Sequence, residues 1–173
     1  MNSKKRILIW FIMLIGGIVV AVYSDLKFFR NIFLSWQFHA ASFVLGILLM
    51  RLVFRVARNT GRTLAKYGRK GNVEKLNTNV LVTRGPYAYM RHPMHLALLF
   101  MPLGWGLIFG SPTFILIIWP VEVIFMLLMI KWVEEPEARA KFGPDYDRYA
   151  GKLPWFCFKP ECLKALLKNV PKN

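Results

Sequence analysis

Two arginines, a histidine and two tyrosines lie within ten residues, directly before a long apolar run. Residues 84–93 read RGPYAYMRHP. Polar side chains at the edge of a membrane segment usually mark a functional site. Two carboxylates, Glu134 and Glu135, follow directly after the last apolar run. If the runs between them form a helical hairpin, the cationic and anionic clusters meet at one end of it, and we interpret that meeting point as a cofactor site.

Another ionisable group, Glu122, lies within an apolar run and not at its end. A carboxylate at that depth is costly unless it is paired, protonated or facing a cavity, so a functional role is the default expectation. Glu122 could line a path for substrate, act as a base for an amine substrate, or bond to a neighbouring helix. His39 also lies within an apolar run, where a bond across helices is the simplest expectation.

The elements that position these groups follow from composition. The 173 residues are 55% hydrophobic and yet carry a formal net charge of +15, so apolar and charged residues must be segregated along the chain. Four apolar runs approach the ~20 residues that a spanning helix needs: residues 7–23, 32–54, 94–110 and 112–130. The sequence therefore predicts an all-α, multi-pass integral membrane protein with about four transmembrane helices, the last two forming a C-terminal hairpin.

Basic residues set the expected orientation. Residues 55–91 contain nine Lys and Arg against one acidic residue, Glu74, and such an excess favours the cytoplasmic side. The Lys and Arg residues before the first run agree with this orientation. Four spans then bring both termini to the cytoplasm. We expect a single domain, 1–173, in which residues 55–93 and 131–173 form a cytoplasmic cap that holds the cofactor site.

Two further features of the sequence argue against a nucleic-acid partner and against a bound metal. The basic excess lacks a recognisable nucleic-acid-binding module and lies beside apolar runs, so attraction to membrane lipids is the better account and no nucleic acid is expected. Cys157 and Cys162 lie in the predicted cytoplasmic tail, where thiols are normally reduced. Their spacing fits no metal motif, so no metal is expected.

Several short motifs follow one another in a recognisable order between residues 81 and 158, about half of the chain. They are Gly85, Tyr87, Arg91-His92-Pro93, Glu134-Glu135, Phe142-Gly143, Tyr146, Tyr149 and Pro154. This order resembles that of a superfamily of membrane methyltransferases, which includes isoprenylcysteine carboxyl methyltransferases and phospholipid N-methyltransferases. Each motif is weak alone, whereas their order and spacing around a hairpin are specific.

The resemblance implies S-adenosylmethionine as the methyl donor and a lipophilic acceptor that enters from the bilayer. The implied donor-binding residues are Tyr87, Arg91, His92, Pro93, Glu134, Glu135 and Tyr149. Paired carboxylates suit the donor's ammonium group, Arg91 or His92 suits its carboxylate, and a tyrosine face can contact its sulfonium. We expect catalytic roles for Arg91, Glu122 and His95, the last standing where the family usually has tyrosine.

The acceptor class stays open between two chemistries. A carboxylate acceptor is already ionised, whereas an ammonium head group must first lose a proton. We expect an isoprenylcysteine carboxyl methyltransferase-like activity, with phospholipid N-methylation of a phosphatidylethanolamine-type lipid as the alternative. Two alternatives come from other classes: a nicotinamide-dependent enzyme like the sterol reductases, whose C-terminal fold is similar, and a non-catalytic membrane adaptor.

Overall fold

The computed structural model describes residues 3–73 and 77–168, and within these ranges it is helical and has no strand. The prediction of an all-α chain is confirmed. The α-helices are α1 (Ser3–Phe28), α2 (Arg30–Phe33), α3 (Trp36–Tyr67), α4 (Pro93–Phe109), α5 (Trp119–Met129), α6 (Glu135–Phe142), α7 (Pro144–Ala150) and α8 (Pro160–Leu167). A 3-10 turn, Gly85–Ala88, precedes α4. Two π-helical segments flank α5: Phe114–Ile118 precedes it, and Ile130–Glu134 joins it to α6.

Three helices in the described ranges are long and apolar enough to cross a membrane: Leu8–Phe28, Trp36–Tyr67 and Phe114–Phe142. The sequence predicted about four spans, so the count of four stays a prediction. The difference lies in α4, whose 17 residues rise ~26 Å at ~1.5 Å per residue, against a hydrocarbon core of ~30 Å. Pro93 begins this helix and Gly110, with φ +60°, ends it. By contrast, the predicted fourth run continues as helix as far as Phe142.

The chain divides into two compact units. Unit 1 comprises Met1–Val53 and Leu99–Met129, and unit 2 comprises Phe54–Leu98 and Ile130–Asn173. In unit 1, α3 and α4 approach closely at two glycines. A Cβ on Gly46 would lie 2.8 Å from the backbone nitrogen of Ile108 and 3.1 Å from the carbonyl oxygen of Gly104. Small residues at helix contacts are typical of helix packing in membranes.

A buried aspartate holds the turn between α4 and the helix that follows it in unit 1. Asp25 has no exposed surface, and its carboxylate accepts hydrogen bonds from the Ser111 hydroxyl and, at 2.8 Å, from the backbone N–H of Thr113. A carboxylate at this place caps the start of the helix. His39, in α3, donates to the carbonyl of Phe33 in the short helix α2, so its bond joins two neighbouring helices.

In unit 2 the last part of α3 packs against α8. Asn59 Nδ2 donates to the carbonyl of Leu166 at 3.0 Å, and Arg55 donates to the carbonyl of Leu167 at 3.2 Å. Carbonyls at a helix C-terminus lack partners within the helix, so these side chains cap α8. The basic continuation of α3 past the apolar run therefore anchors the C-terminal helix.

Cys157 and Cys162 form a disulfide, which corrects the expectation of free thiols. The two Cα atoms are 5.9 Å apart, within the range that a disulfide bridges. Cys162 is buried in α8, and the segment before Pro160 folds back to bring Cys157 beside it. The spacing of two cysteines does not reveal such a fold-back, so the pairing could not be read from the sequence.

Candidate active site

The carboxylate of Glu135, at the start of α6, is the centre of a buried polar cluster in unit 2. Arg91 Nη1 lies 2.7 Å from Glu135 Oε2, and His92 Nε2 lies 2.7 Å from Glu135 Oε1. The Tyr146 hydroxyl also donates to Oε1, at 2.9 Å, and Arg139 lies 3.9 Å from Oε2. The predicted meeting of the Arg-His and Glu-Glu motifs is therefore confirmed, and it occurs through Glu135.

The backbone of Arg91 and His92 is held by a segment that carries no regular structure. The N–H of Arg91 donates to the carbonyl of Pro154 at 3.0 Å, and that of His92 to the carbonyl of Trp155 at 3.1 Å. The Arg91 guanidinium also lies over the Trp155 ring, 5.8 Å from its centre. Because both backbone and side chain are constrained, Arg91 and His92 have a fixed position.

Tyr149 ties helix α7 to the segment that leads into the site. Its hydroxyl lies 2.7 Å from the carbonyl oxygen of Tyr87 and 3.2 Å from that of Met90, so its single proton is shared between two acceptors. Tyr87, Met90 and Tyr149 are all buried. The 3-10 turn that carries Tyr87 is therefore held in place by α7, which comes from the C-terminal part of the motif pattern.

A cavity of about 160 Å³, hereafter the site cavity, lies beside this cluster. Its lining includes most of the predicted site residues: Tyr87, Arg91, His92, His95, Glu134 and Tyr149. His95 Nε2 lies 3.9 Å from Glu134 Oε1, with both side chains about one quarter exposed. This volume is smaller than the ~300 Å³ of a site that encloses a whole drug-sized ligand. The site cavity therefore has room for only one end of such a ligand.

The structure does not bring every predicted residue to this cavity. Glu135 lies behind Arg91 and His92 and does not line it, and Pro93 serves as the first residue of α4. Glu122 belongs to unit 1. Its carboxylate is buried there close to Gly17 and, within the described ranges, has no hydrogen-bond partner. Its predicted catalytic role stays a prediction.

Burial sets the protonation of the site. It lowers the pKa of His92, although the hydrogen bond from His92 to Glu135 and the charge of Glu135 act in the opposite direction. Burial is also the main reason that the pKa values of Tyr87, Tyr146 and Tyr149 are raised. The three phenols therefore stay protonated at neutral pH, and those of Tyr146 and Tyr149 act as hydrogen-bond donors.

The site residues fit the donor that the sequence suggested. Arg91 presents a cation and Glu134 a carboxylate to the same cavity, as the carboxylate and ammonium of an amino-acid group require. Arg91 Nε is buried and lacks a hydrogen-bond partner among the described residues, which leaves a donor for a ligand.

Two residues of the cluster were not predicted as site residues. Tyr146 belonged to the motif pattern but was not assigned a contact, and its hydroxyl donates directly to Glu135. Trp155 was assigned no role from the sequence, whereas its ring lies against Arg91 and its carbonyl accepts from His92. The motif pattern could have identified Tyr146, but a contact through a backbone carbonyl leaves no sequence signal.

Comparison with protein families gives one match. A model of the phospholipid methyltransferase family matches residues 36–145, more than half of the chain. The chain therefore belongs to the phospholipid methyltransferase family. Membership implies methyltransferase activity, and the apolar helices suit a membrane protein. Comparisons with curated proteins and with solved structures give no match.

Proposed function

We propose that the chain is an integral membrane methyltransferase that binds S-adenosylmethionine in the site cavity and methylates a lipophilic acceptor drawn from the bilayer. The observation that carries this proposal is the buried Glu135 carboxylate holding Arg91 and His92 at the wall of the site cavity, in a chain of this family. In this proposal α4 also crosses the membrane, and residues 55–93 and 131–173 form a cytoplasmic cap.

The two glutamates have different parts in this proposal. Both oxygens of Glu135 are already engaged, so Glu135 is a positioning residue for Arg91 and His92. Glu134 lines the cavity and suits the ammonium group of the donor, while Arg91 suits its carboxylate. Tyr87 and Tyr149 lie on the same wall, where a tyrosine face can contact a cationic sulfur.

Catalysis in this proposal rests on positioning. Bound S-adenosylmethionine supplies an electrophilic methyl group on a cationic sulfur. Methyl transfer needs the acceptor atom, methyl carbon and sulfur in line, so the chain contributes orientation and the exclusion of water. The aromatic and aliphatic lining of the site cavity, including Leu64, Val82 and Phe142, limits the access of water.

The family description favours a phospholipid acceptor over a prenylcysteine-like carboxylate, and a phosphatidylethanolamine-type lipid would offer an amine head group. An amine must lose a proton before it attacks. His95 lines the cavity next to Glu134 and is the residue we assign to accept that proton. Carboxyl methylation needs no base and stays the second candidate. A nicotinamide-dependent reductase and a non-catalytic adaptor draw no support from the family match.

Calorimetry on the full chain in detergent tests the donor assignment. We expect S-adenosylmethionine to bind, and Arg91→Gln to weaken binding about 10-fold or more because a charge-assisted hydrogen bond contributes roughly 1.5–3 kcal/mol. Arg148→Gln is the matched control, since Arg148 is exposed and pairs with Asp145 away from the cavity. No binding by wild type, or equal effects of the two substitutions, would refute the donor site.

Product analysis separates the acceptor classes. The protein is incubated with methyl-labelled donor and a mixture of phospholipids and prenylcysteine lipids, and the labelled product is treated with base. A base-stable label on a phospholipid head group indicates N-methylation, and a base-labile label indicates an ester. With an amine acceptor, His95→Gln lowers kcat by about 100-fold or more and leaves donor affinity nearly unchanged, as loss of a general base does.

A further inference from the structure

A second cavity in unit 2, of about 600 Å³, takes no part in the proposed site. Three cationic side chains line it: Arg84, Lys164 and Lys168. Glu161 is the carboxylate among its lining residues, so positive charge prevails. Its volume falls in the range of small-ligand sites, ~300–1,000 Å³. We call this space the basic cavity.

Two different elements bring the cations together. Arg84 precedes the 3-10 turn, and its guanidinium lies over the ring of Tyr67, 5.7 Å from the ring centre. This cation–π contact attracts the guanidinium to the ring face without using its N–H groups as hydrogen-bond donors. Lys168 follows α8, and its N–H donates to the carbonyl of Lys164 at 3.0 Å. The two lysines are therefore one helical turn apart on the same face.

Among the described residues, the positive charge of these three side chains exceeds the negative charge in the cavity lining. In the part of the chain that the structure describes, Arg84, Lys164 and Lys168 form no ion pair with a carboxylate. Like charges one helical turn apart destabilise a helix by a few tenths of a kcal/mol, and Arg84 adds a third positive charge. A concave surface on which one sign of charge is in excess concentrates ions of the other sign.

The position of the basic cavity relates it to the membrane. Tyr67, which lines it, is the last residue of α3. With 32 residues this helix is ~48 Å long, whereas the hydrocarbon core is ~30 Å thick. The basic end of α3 therefore extends beyond the core, toward the depth of lipid phosphates. Tyr67 and Tyr89 are half-exposed at the cavity and are suited to such an interface.

We propose that the basic cavity is a binding site for a phosphate group, carried by an anionic phospholipid or free in solution. Arg84 offers a planar pair of donors to phosphate oxygens, and Lys164 and Lys168 offer two point charges from another direction. The site is separate from the proposed donor site, and it does not depend on which reaction the enzyme catalyses.

Calorimetry on the full chain in neutral detergent micelles tests this site with three probes: dihexanoyl phosphatidylglycerol, dihexanoyl phosphatidylcholine and inorganic phosphate. We expect Lys164→Gln combined with Lys168→Gln to weaken binding of the anionic probes on the order of 10- to 30-fold, from about 1 kcal/mol for each lysine. The matched control is Lys152→Gln combined with Lys159→Gln, which removes the same charge from exposed positions outside the cavity. Arg84→Gln provides a second test from a different element.

Binding of phosphatidylglycerol alone assigns the site to a lipid head group, and binding of phosphatidylglycerol and phosphate together shows that the phosphate group is sufficient. Binding of inorganic phosphate alone assigns it to free phosphate. The proposal is overturned if no anionic probe binds, if phosphatidylcholine binds equally well, or if both double variants lose the same affinity. Because the readout is binding, it is independent of the outcome of the methyl-transfer experiments.

Discussion

Glu135 is the single residue on which the charged groups of the site converge. Its carboxylate is buried and interacts with two arginines, a histidine and a tyrosine. Glu134, one residue earlier, instead lies beside His95 at the site cavity. Successive residues on a helix point about 100° apart, so a carboxylate pair divides between two directions. The sequence predicts that the pair matters, but it does not predict which glutamate faces the cavity.

His92 gives the folded protein a pH dependence that can be measured. Burial lowers its pKa below the ordinary value of 6.5, so the unfolded chain takes up a proton at a higher pH than the folded protein does. Between those two pKa values the unfolded state binds more protons, and the free energy of unfolding falls as the pH falls. The contribution of His92 is complete above pH 6.5 and is lost on acidification through the folded pKa.

We therefore expect the thermal unfolding midpoint of the protein in detergent to decrease from pH 7.5 to pH 5.0. In His92→Gln this decrease in the midpoint should be smaller. The reason is that the titration of His92 lowers the free energy of unfolding of the wild type by about 1.4 kcal/mol for each pH unit between the two pKa values. Glutamine keeps an N–H donor for Glu135, so the comparison isolates the titration. Parallel pH profiles for wild type and variant would show that His92 does not titrate differently in the two states.

At the scale of elements, the site depends on a segment without regular structure. Two carbonyls, from Pro154 and Trp155, hold the backbone of Arg91 and His92. The disulfide follows two residues later and links the same segment to α8. Helices and turns of unit 2 are visible in the sequence through proline, glycine and periodic apolar residues. Contacts made by backbone carbonyls are not visible in the sequence, because every residue type carries the same carbonyl.

Helix packing in unit 1 supports a prediction with an internal control. Gly46→Ala places a Cβ against the backbone of α4. A backbone cannot move aside as a flexible side chain can, and overpacking of this kind typically lowers the free energy of unfolding by about 1–3 kcal/mol. Gly16→Ala, on α1, has no atom within 4 Å of its new Cβ. There we expect no loss and a gain of up to about 1 kcal/mol from helix propensity.

The measurement is the thermal unfolding midpoint of each variant in the same detergent. Gly46→Ala should lower it, while Gly16→Ala should leave it unchanged or raise it. If both substitutions had the same effect, the close approach of α3 and α4 at Gly46 would not be a determinant of stability.

At the scale of the whole molecule, the apolar runs predicted the long helices well, since hydrophobic length is a property of the sequence alone. The predicted count of about four spans stays a prediction, because Pro93 and Gly110 fix the ends of α4 at 17 residues and leave it shorter than the other three. The disulfide and the basic cavity were not predicted. The basic cavity depends on residues far apart along the chain, such as Arg84 and Lys164, meeting through tertiary packing, and the disulfide depends on a local fold-back of the chain before α8.

The number of crossings determines on which sides of the membrane the termini lie. If α4 crosses together with the three longer helices, both termini lie on the cytoplasmic side, as the basic residues indicate. If only three helices cross, the termini lie on opposite sides. Reporter domains fused to each end, one active only in the cytoplasm and one only outside it, distinguish these cases. We expect cytoplasmic reporters to be active at both ends.

The 3-10 turn Gly85–Ala88 lines two of the cavities in unit 2: Tyr87 lines the site cavity, and Gly85, Pro86 and Ala88 line the basic cavity. Because this turn has only four residues, ligands in the two cavities would lie against the same short backbone segment. Where each ligand favours a particular position of that segment, thermodynamic linkage requires that a phosphate in the basic cavity change the affinity for the methyl donor by the same factor as the donor changes the affinity for phosphate. The surface charge of the surrounding lipid would then act as an effector of the enzyme.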